Sequence, residues 1–160
     1  VNSSANGGGC QFEQDGYHVI EEQNYAQACY MNRNVTNFAF EVTMNIIKGN
    51  CGGFNFRDQR QSSAYHFEVC QDGRYRLLLY GPHTASTLLG NTSALIKTGY
   101  HQANQLAVIA LGSFLILYLN KQRVDTITDT SYSDGFIGLR ASAYGGQVEG
   151  VYTNAKLWLL

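Results

Sequence analysis

CGGFNFRDQRQSSAYHFEVCQDGRYRLLLY (51–80) is the stretch whose reading decides the fold, because two separate patterns in it select one strand register. Pairing CGGFNFR (51–57) with AYHFEVC (64–70) as a hairpin, with its loop centred between Arg60 and Gln61, sets Phe54 against Phe67 and Phe56 against Tyr65. Side chains alternate faces along a strand, so these aromatics share one side and Asn55, Arg57, His66 and Glu68 share the other. The same register places Cys51 opposite Cys70, as a cross-strand disulfide requires if its Cβ atoms are to meet within about 4 Å. The connection Gln71-Asp72-Gly73 then fixes the third strand, RYRLLLY (74–80). A two-residue turn would put Arg76 among the aromatics. A three-residue loop with Gly73 left-handed sets Val69 against Tyr75, Phe67 against Leu77 and Tyr65 against Leu79, and the buried pattern selects it. Glu68 then faces Arg76, and the polar side carries Arg57, Asn55, His66, Glu68, Arg76, Leu78 and Tyr80.

Working outward, the chain of 160 residues has the size of a single domain with a sizeable core. Residues 1–9, rich in Asn, Ser and Gly, read as a flexible lead-in, and 10–160 as one domain. Charged residues are 14% of the sequence, against about 25% in a typical soluble domain. The net charge of −1 gives no electrostatic case for nucleic acid or an anionic membrane as partner. The longest apolar runs, 106–111 and 114–119, are too short to span a bilayer as a helix.

The four cysteines allow three pairings. Register supports Cys51–Cys70, which leaves Cys10–Cys29; the alternative is four buried thiols. Two disulfides imply an extracellular setting, secreted or at a cell surface. Three sequons, at Asn2, Asn34 and Asn91, agree with that setting wherever the host glycosylates asparagine.

Strand signals recur along the chain. A hairpin is expected about Asp15-Gly16, and a short strand at 26–31. Residues 37–47 alternate Phe38, Phe40, Val42, Met44 and Ile46 with smaller or polar residues, a period of two. Residues 81–99 read as a looser connection. The segments 105–110 and 114–120 pair about Gly112-Ser113, and their apolar character on both faces suggests a central position. Segments 122–128, 135–144 and 147–160 follow. About eleven or twelve short strands without an amphipathic helix indicate an all-β antiparallel sandwich or jelly roll of two curved sheets.

The closing stretch, with Asn120, then DGFIGL (134–139) and NAKLW (154–158), together with GGFNFR (52–57) and YHFEV (65–69), resembles the concanavalin A-like lectin/glucanase superfamily, most of all its laminin-G-like bacterial extracellular branch. The resemblance covers nearly the whole chain and implies a jelly roll; it implies function only weakly. Members that cleave β-glucans carry Glu-x-Asp-x-Glu on one strand, because retaining hydrolysis needs two carboxyls about 5–5.5 Å apart. No such triplet occurs here, and Glu41 stands alone on its strand. The four histidines show no metal-ligand spacing. The sequence therefore gives no case for catalysis, and no cofactor is expected. The resemblance names Glu22 or Glu13 with Asn154 as the residues a rim calcium would use.

Sugars are held by planar polar side chains that fork onto hydroxyl pairs and by an aromatic ring against the apolar sugar face. The polar side supplies both. The candidate ligand-binding residues are Arg57, His66, Glu68, Arg76 and Tyr80, joined by Arg140 and, from the same segment, Tyr144. The expected function is a non-catalytic, lectin-like module with a glycan or polysaccharide partner. The alternative is a structural extracellular protein, an adhesive or self-assembling surface subunit whose partner is another copy of itself. Trp158 is expected in the core.

Overall fold

The computed structural model describes residues 2–3, 8–22, 26–60 and 63–160. Among these are fourteen strands and no helix: β1 (Asn2–Ser3), β2 (Gly9–Glu13), β3 (Gly16–Glu21), β4 (Ala26–Val35), β5 (Phe38–Lys48), β6 (Cys51–Asp58), β7 (Ala64–Cys70), β8 (Arg74–Tyr80), β9 (Ala85–Thr92), β10 (Asn104–Leu111), β11 (Phe114–Leu119), β12 (Gln122–Thr128), β13 (Gly135–Ser142) and β14 (Val148–Leu159). They form two antiparallel sheets. One has the order β1-β2-β3-β14-β5-β10-β11-β12, the other β4-β13-β6-β7-β8-β9. The molecule is a jelly-roll β-sandwich.

The central hairpins adopt the register read from the aromatic pattern. Cys51 faces Cys70, Phe54 faces Phe67 and Phe56 faces Tyr65; Val69 faces Tyr75, Phe67 faces Leu77 and Glu68 faces Arg76. Gly73 takes a φ of 93°, the left-handed residue that the three-residue loop needs. Both disulfides form as paired above, Cys10 with Cys29 and Cys51 with Cys70. The core lies between the sheets. Phe56 stacks on Tyr65 with ring centroids 5.2 Å apart, Phe54 meets Phe67 edge-on at 5.8 Å, and Phe40 reaches Phe54 from β5 at 5.0 Å. Such pairs add about 0.5–1.5 kcal/mol each beyond the area they bury.

Several expectations are corrected. The segment 81–99 is not merely a connection, since β9 pairs with β8 as the edge of the smaller sheet. The 14–16 turn is Gln14-Asp15, because Glu13 faces Gly16. Part of the expected lead-in is paired strand, Asn2 and Ser3 facing Cys10 and Gly9; residues 1 and 4–7 lie outside the described residues, as do Gln61 and Ser62 at the middle of the 59–63 loop. The two-sided apolar strands β10 and β11 sit towards one end of the larger sheet, with Leu111 and Phe114 exposed.

Two β-bulges turn side chains to the face opposite the one that strict alternation assigns. Between the pairs Gly138–Asn55 and Phe136–Asp58, the two residues Phe56 and Arg57 oppose the single residue Ile137, and Arg57 has a φ of 47°. In β14, Asn154 and Ala155 oppose one residue of β5, and Asn154 has a φ of 53°. Each bulge inserts one residue and so inverts the alternation beyond it.

Candidate functional site

The site lies on the face of the six-stranded sheet turned away from the core. Strict alternation sends Asn55, His66, Glu68 and Arg76 there from β6, β7 and β8. The bulge removes Arg57 from this set. Its side chain is 1% exposed and donates from Nη1 to the Tyr132 carbonyl at 3.0 Å and from Nη2 to the Thr36 carbonyl at 3.1 Å. Arg57 therefore ties two loops at the end of the sandwich, and Asp58 takes its place beside Asn55.

The centre of the face is a covered polar layer and not an open surface. Glu68 is fully buried. Its Oε1 accepts from Arg76 Nε at 3.0 Å and from Arg76 Nη2, and its Oε2 accepts from the Tyr144 hydroxyl at 2.9 Å. Burial alone would raise the Glu68 carboxyl, but the hydrogen bonds and charges of His66 and Arg76 outweigh it and hold the group down at about 2. His66 is also fully buried, and burial together with the charge of Arg140 pushes it below its ordinary value. It is therefore neutral at neutral pH, and the charge that holds Glu68 ionised there is that of Arg76. The His66 ring makes contact with the Phe54 carbonyl and the Ser142 hydroxyl, both at 3.3 Å. Burial, and then the neighbouring Glu68, raise Tyr144. The guanidinium of Arg76 lies 5.3 Å from the Tyr144 ring centre and that of Arg140 lies 4.6 Å from that of Tyr80.

Beside this layer opens a cavity of about 310 Å³, lined among others by Tyr30, Asn55, Asp58, Arg60, Tyr80 and Arg140. Asp58 Oδ2 accepts from Asn55 Nδ2 at 2.7 Å and from the Tyr30 hydroxyl at 2.9 Å, and Oδ1 accepts from the Arg60 backbone N–H at 2.7 Å. Burial, with Asp58 behind it, pushes Tyr30 up to about 12. Arg140 donates from Nη1 to Asn55 Oδ1 at 3.2 Å.

The backbone beneath Arg140 is set from the opposite sheet. Tyr152 of β14 crosses the core, and its hydroxyl accepts from the Gly53 N–H at 2.9 Å and donates to the Arg140 carbonyl at 2.6 Å. Gly53 and Arg140 face each other across β6 and β13. A Cβ on Gly53 would stand 1.9 Å from the Phe67 carbonyl oxygen, so only glycine fits this crossing.

No protein-family model matches the chain, and no curated protein does. Solved structures do. The carbohydrate-binding module CBM66 from Bacillus subtilis superposes with a TM-score of 0.81 at 18% identity, over 94% of this chain and 91% of that one. Sheep galectin-11, in complex with glycerol, gives 0.59 at 12% identity over 84% and 97%. A Bacteroides ovatus GH16 protein of a mixed-linkage glucan locus, in complex with product, gives 0.64 at 11% identity over 97% and 86%. The fold is concanavalin A-like.

Within this concanavalin A-like frame, six of the seven residues expected at the site share one face: His66, Glu68, Arg76, Tyr80, Arg140 and Tyr144. Three contributors were missed. Asp58 reaches the face only through the bulge, which no glycine or proline signals. Arg60 comes from the β6–β7 loop and Tyr30 from β4, whose pairing with β13 no local pattern specifies. Asn34 and Asn91 are exposed, and the Asn2 side chain lies outside the described residues. The residues named for a rim calcium each have distinct surroundings. Glu22 accepts from Gln147 Nε2 at 3.1 Å, Asn154 lines an apolar cleft with Phe12 and Tyr17, and Glu13 converges with Asp15 and His18, their ligand atoms within 4.8 Å of one another. That convergence was invisible in the sequence because the β2–β3 turn brings the three together. Trp158, expected in the core, is 47% exposed on the outer side of the larger sheet, turned there by the Asn154 bulge.

Proposed function

We propose that this is a non-catalytic, lectin-like carbohydrate-binding module that works outside the cytoplasm, secreted or at a cell surface, with its glycan on the outer face of the six-stranded sheet. The observation that carries this reading is the cavity of about 310 Å³, where aromatic rings, an amide and guanidinium groups meet on one face. That is the donor set that grips sugar hydroxyls and stacks on sugar rings. A general acid must hold its proton near the working pH, and Glu68 at about 2 cannot, which supports binding without hydrolysis. The two disulfides support an oxidising compartment.

The test is a glycan array of the oxidised protein paired with Tyr80→Ala. Tyr80 is the better control than Arg76, whose removal would strand the buried charge of Glu68. A confined set of hits that disappears in the variant, with an unchanged melting temperature, is the expected result; a blank array would remove the reading.

A second reading, an adhesive or self-assembling subunit, is favoured by one observation. Leu111, Phe114, Trp158, Leu159 and Leu160 are all exposed. They gather near Asn37, whose side chain accepts from the Gly112 N–H and whose carbonyl accepts from the Leu160 N–H.

A further inference from the structure

The cavity is unevenly supplied with charge. Among the described residues Asp58 is the one carboxylate that lines it, and both of its oxygens already accept from Asn55, Tyr30 and the Arg60 N–H. The neighbouring Glu68 is likewise occupied on both oxygens by Arg76 and Tyr144. Every oxygen of the two carboxylates therefore already has a partner inside the protein, which lowers the charge they present to a ligand.

The cations are in the opposite condition. Arg60 is exposed, and its guanidinium is held over the Phe136 ring at 3.6 Å, with the Tyr30 ring at 5.5 Å. Arg140 is held over Tyr80 and gives a single side-chain hydrogen bond, to Asn55. Its Nε is buried and has no partner. No ion pair engages either arginine among the described residues. Two cations thus line a cavity with one internally satisfied carboxylate. Stacking on rings holds each guanidinium while leaving Arg140 Nη2 and the Arg60 donors without a hydrogen bond among the described residues, the arrangement suited to recognition of an oxyanion.

We propose that the cavity selects acidic glycans, seating a carboxylate or sulfate substituent of the sugar between Arg60 and Arg140. This rests on the carbohydrate-binding reading and names the class of sugar. A neutral sugar would bring no counter-charge to Arg60 and Arg140. An acidic one supplies it, and the aromatic rings remain for the sugar's apolar face.

The experiment compares the whole oxidised protein against matched pairs: oligogalacturonate with its methyl ester, and a sulfated galactan with its desulfated form, each at low and high salt, with a neutral-glycan array alongside. The expected result is tighter binding to at least one acidic partner than to its neutral counterpart, by tenfold or more on an order-of-magnitude scale for a charge-assisted fork, weakening as salt rises. Arg60→Gln and Arg60→Lys should both lower acidic binding, the lysine variant less in low salt, with the melting temperature unchanged because Arg60 is exposed. Arg140→Gln should act in the same direction. Preference for the carboxylate pair or for the sulfate pair identifies which substituent is read. Equal, salt-insensitive binding to acidic and neutral partners would overturn the charge selection and leave the carbohydrate reading standing. Binding to no glycan of any kind would overturn both.

Discussion

At the scale of single residues, the molecule keeps two histidines in opposite states. His66 is neutral inside the polar layer, whereas His18 is gripped by acids. His18 Nδ1 lies 2.6 Å from Glu149 Oε1, and Nε2 lies 2.8 Å from Asp15 Oδ1 and 3.8 Å from Glu13 Oε2. Burial works against the charge on His18, but hydrogen bonds to Asp15 and Glu149 and the charge of Glu13 outweigh it and raise its pKa. Because the folded value lies above the unfolded one, about 6.5, this contact stabilises fully below that value and is lost as pH rises through the raised folded value. His66, shifted downward, acts with the opposite sign: its contribution falls as pH drops below about 6.5. The melting temperature of the whole protein therefore mixes the two. The difference between wild type and His18→Gln isolates one of them, and it should be larger at about pH 5.5 than at about pH 9. A difference that is flat or grows with pH would contradict the His18 assignment.

At the scale of strands, Tyr152 is the element of packing that links core to site. Tyr152→Phe keeps the ring but removes the hydroxyl from the Gly53 N–H and the Arg140 carbonyl, leaving both buried groups unpaired. The expected cost is about 1–3 kcal/mol, read as a lower denaturant midpoint at unchanged slope, with weaker glycan binding because the backbone under Arg140 is no longer fixed. The registers of β6, β7 and β8 were legible because three constraints coincide there: aromatic alternation, facing cysteines and Gly73. Arg57 and Trp158 were misplaced for a shared reason. Alternation is read by counting, and a residue such as Arg57 or Asn154 that enters the left-handed region adds one to the count without announcing itself by type. Arg57 keeps that conformation through its bonds to Tyr132 and Thr36, partners 75 and 21 residues away in the chain, so the cause lies in tertiary structure. Asp58, which the first bulge brings to the site, was hidden with it.

At the scale of the whole molecule, the two faces make distinct demands. The outer side of the smaller sheet is polar and covered, while the larger sheet leaves Leu111, Phe114, Trp158, Leu159 and Leu160 exposed at one end. Contiguous apolar surface of this kind commonly marks an interaction site. If copies meet through it, sedimentation velocity should show concentration-dependent association that Phe114→Ser with Trp158→Ser abolishes, while glycan binding persists. A single monomeric species at every concentration would remove the self-assembly reading. The order of strands has its own result. β14, the last strand in the sequence, lies between β3 and β5 at the middle of the larger sheet. A chain emerging from a ribosome therefore holds β3 and β5 with facing edges unsatisfied until residue 159 has cleared the tunnel. The two disulfide loops, each spanning a sequence separation of 19, can close well before then, but the larger sheet cannot. Non-local pairing of this kind folds slowly, so the larger sheet is the last part of the sandwich to close.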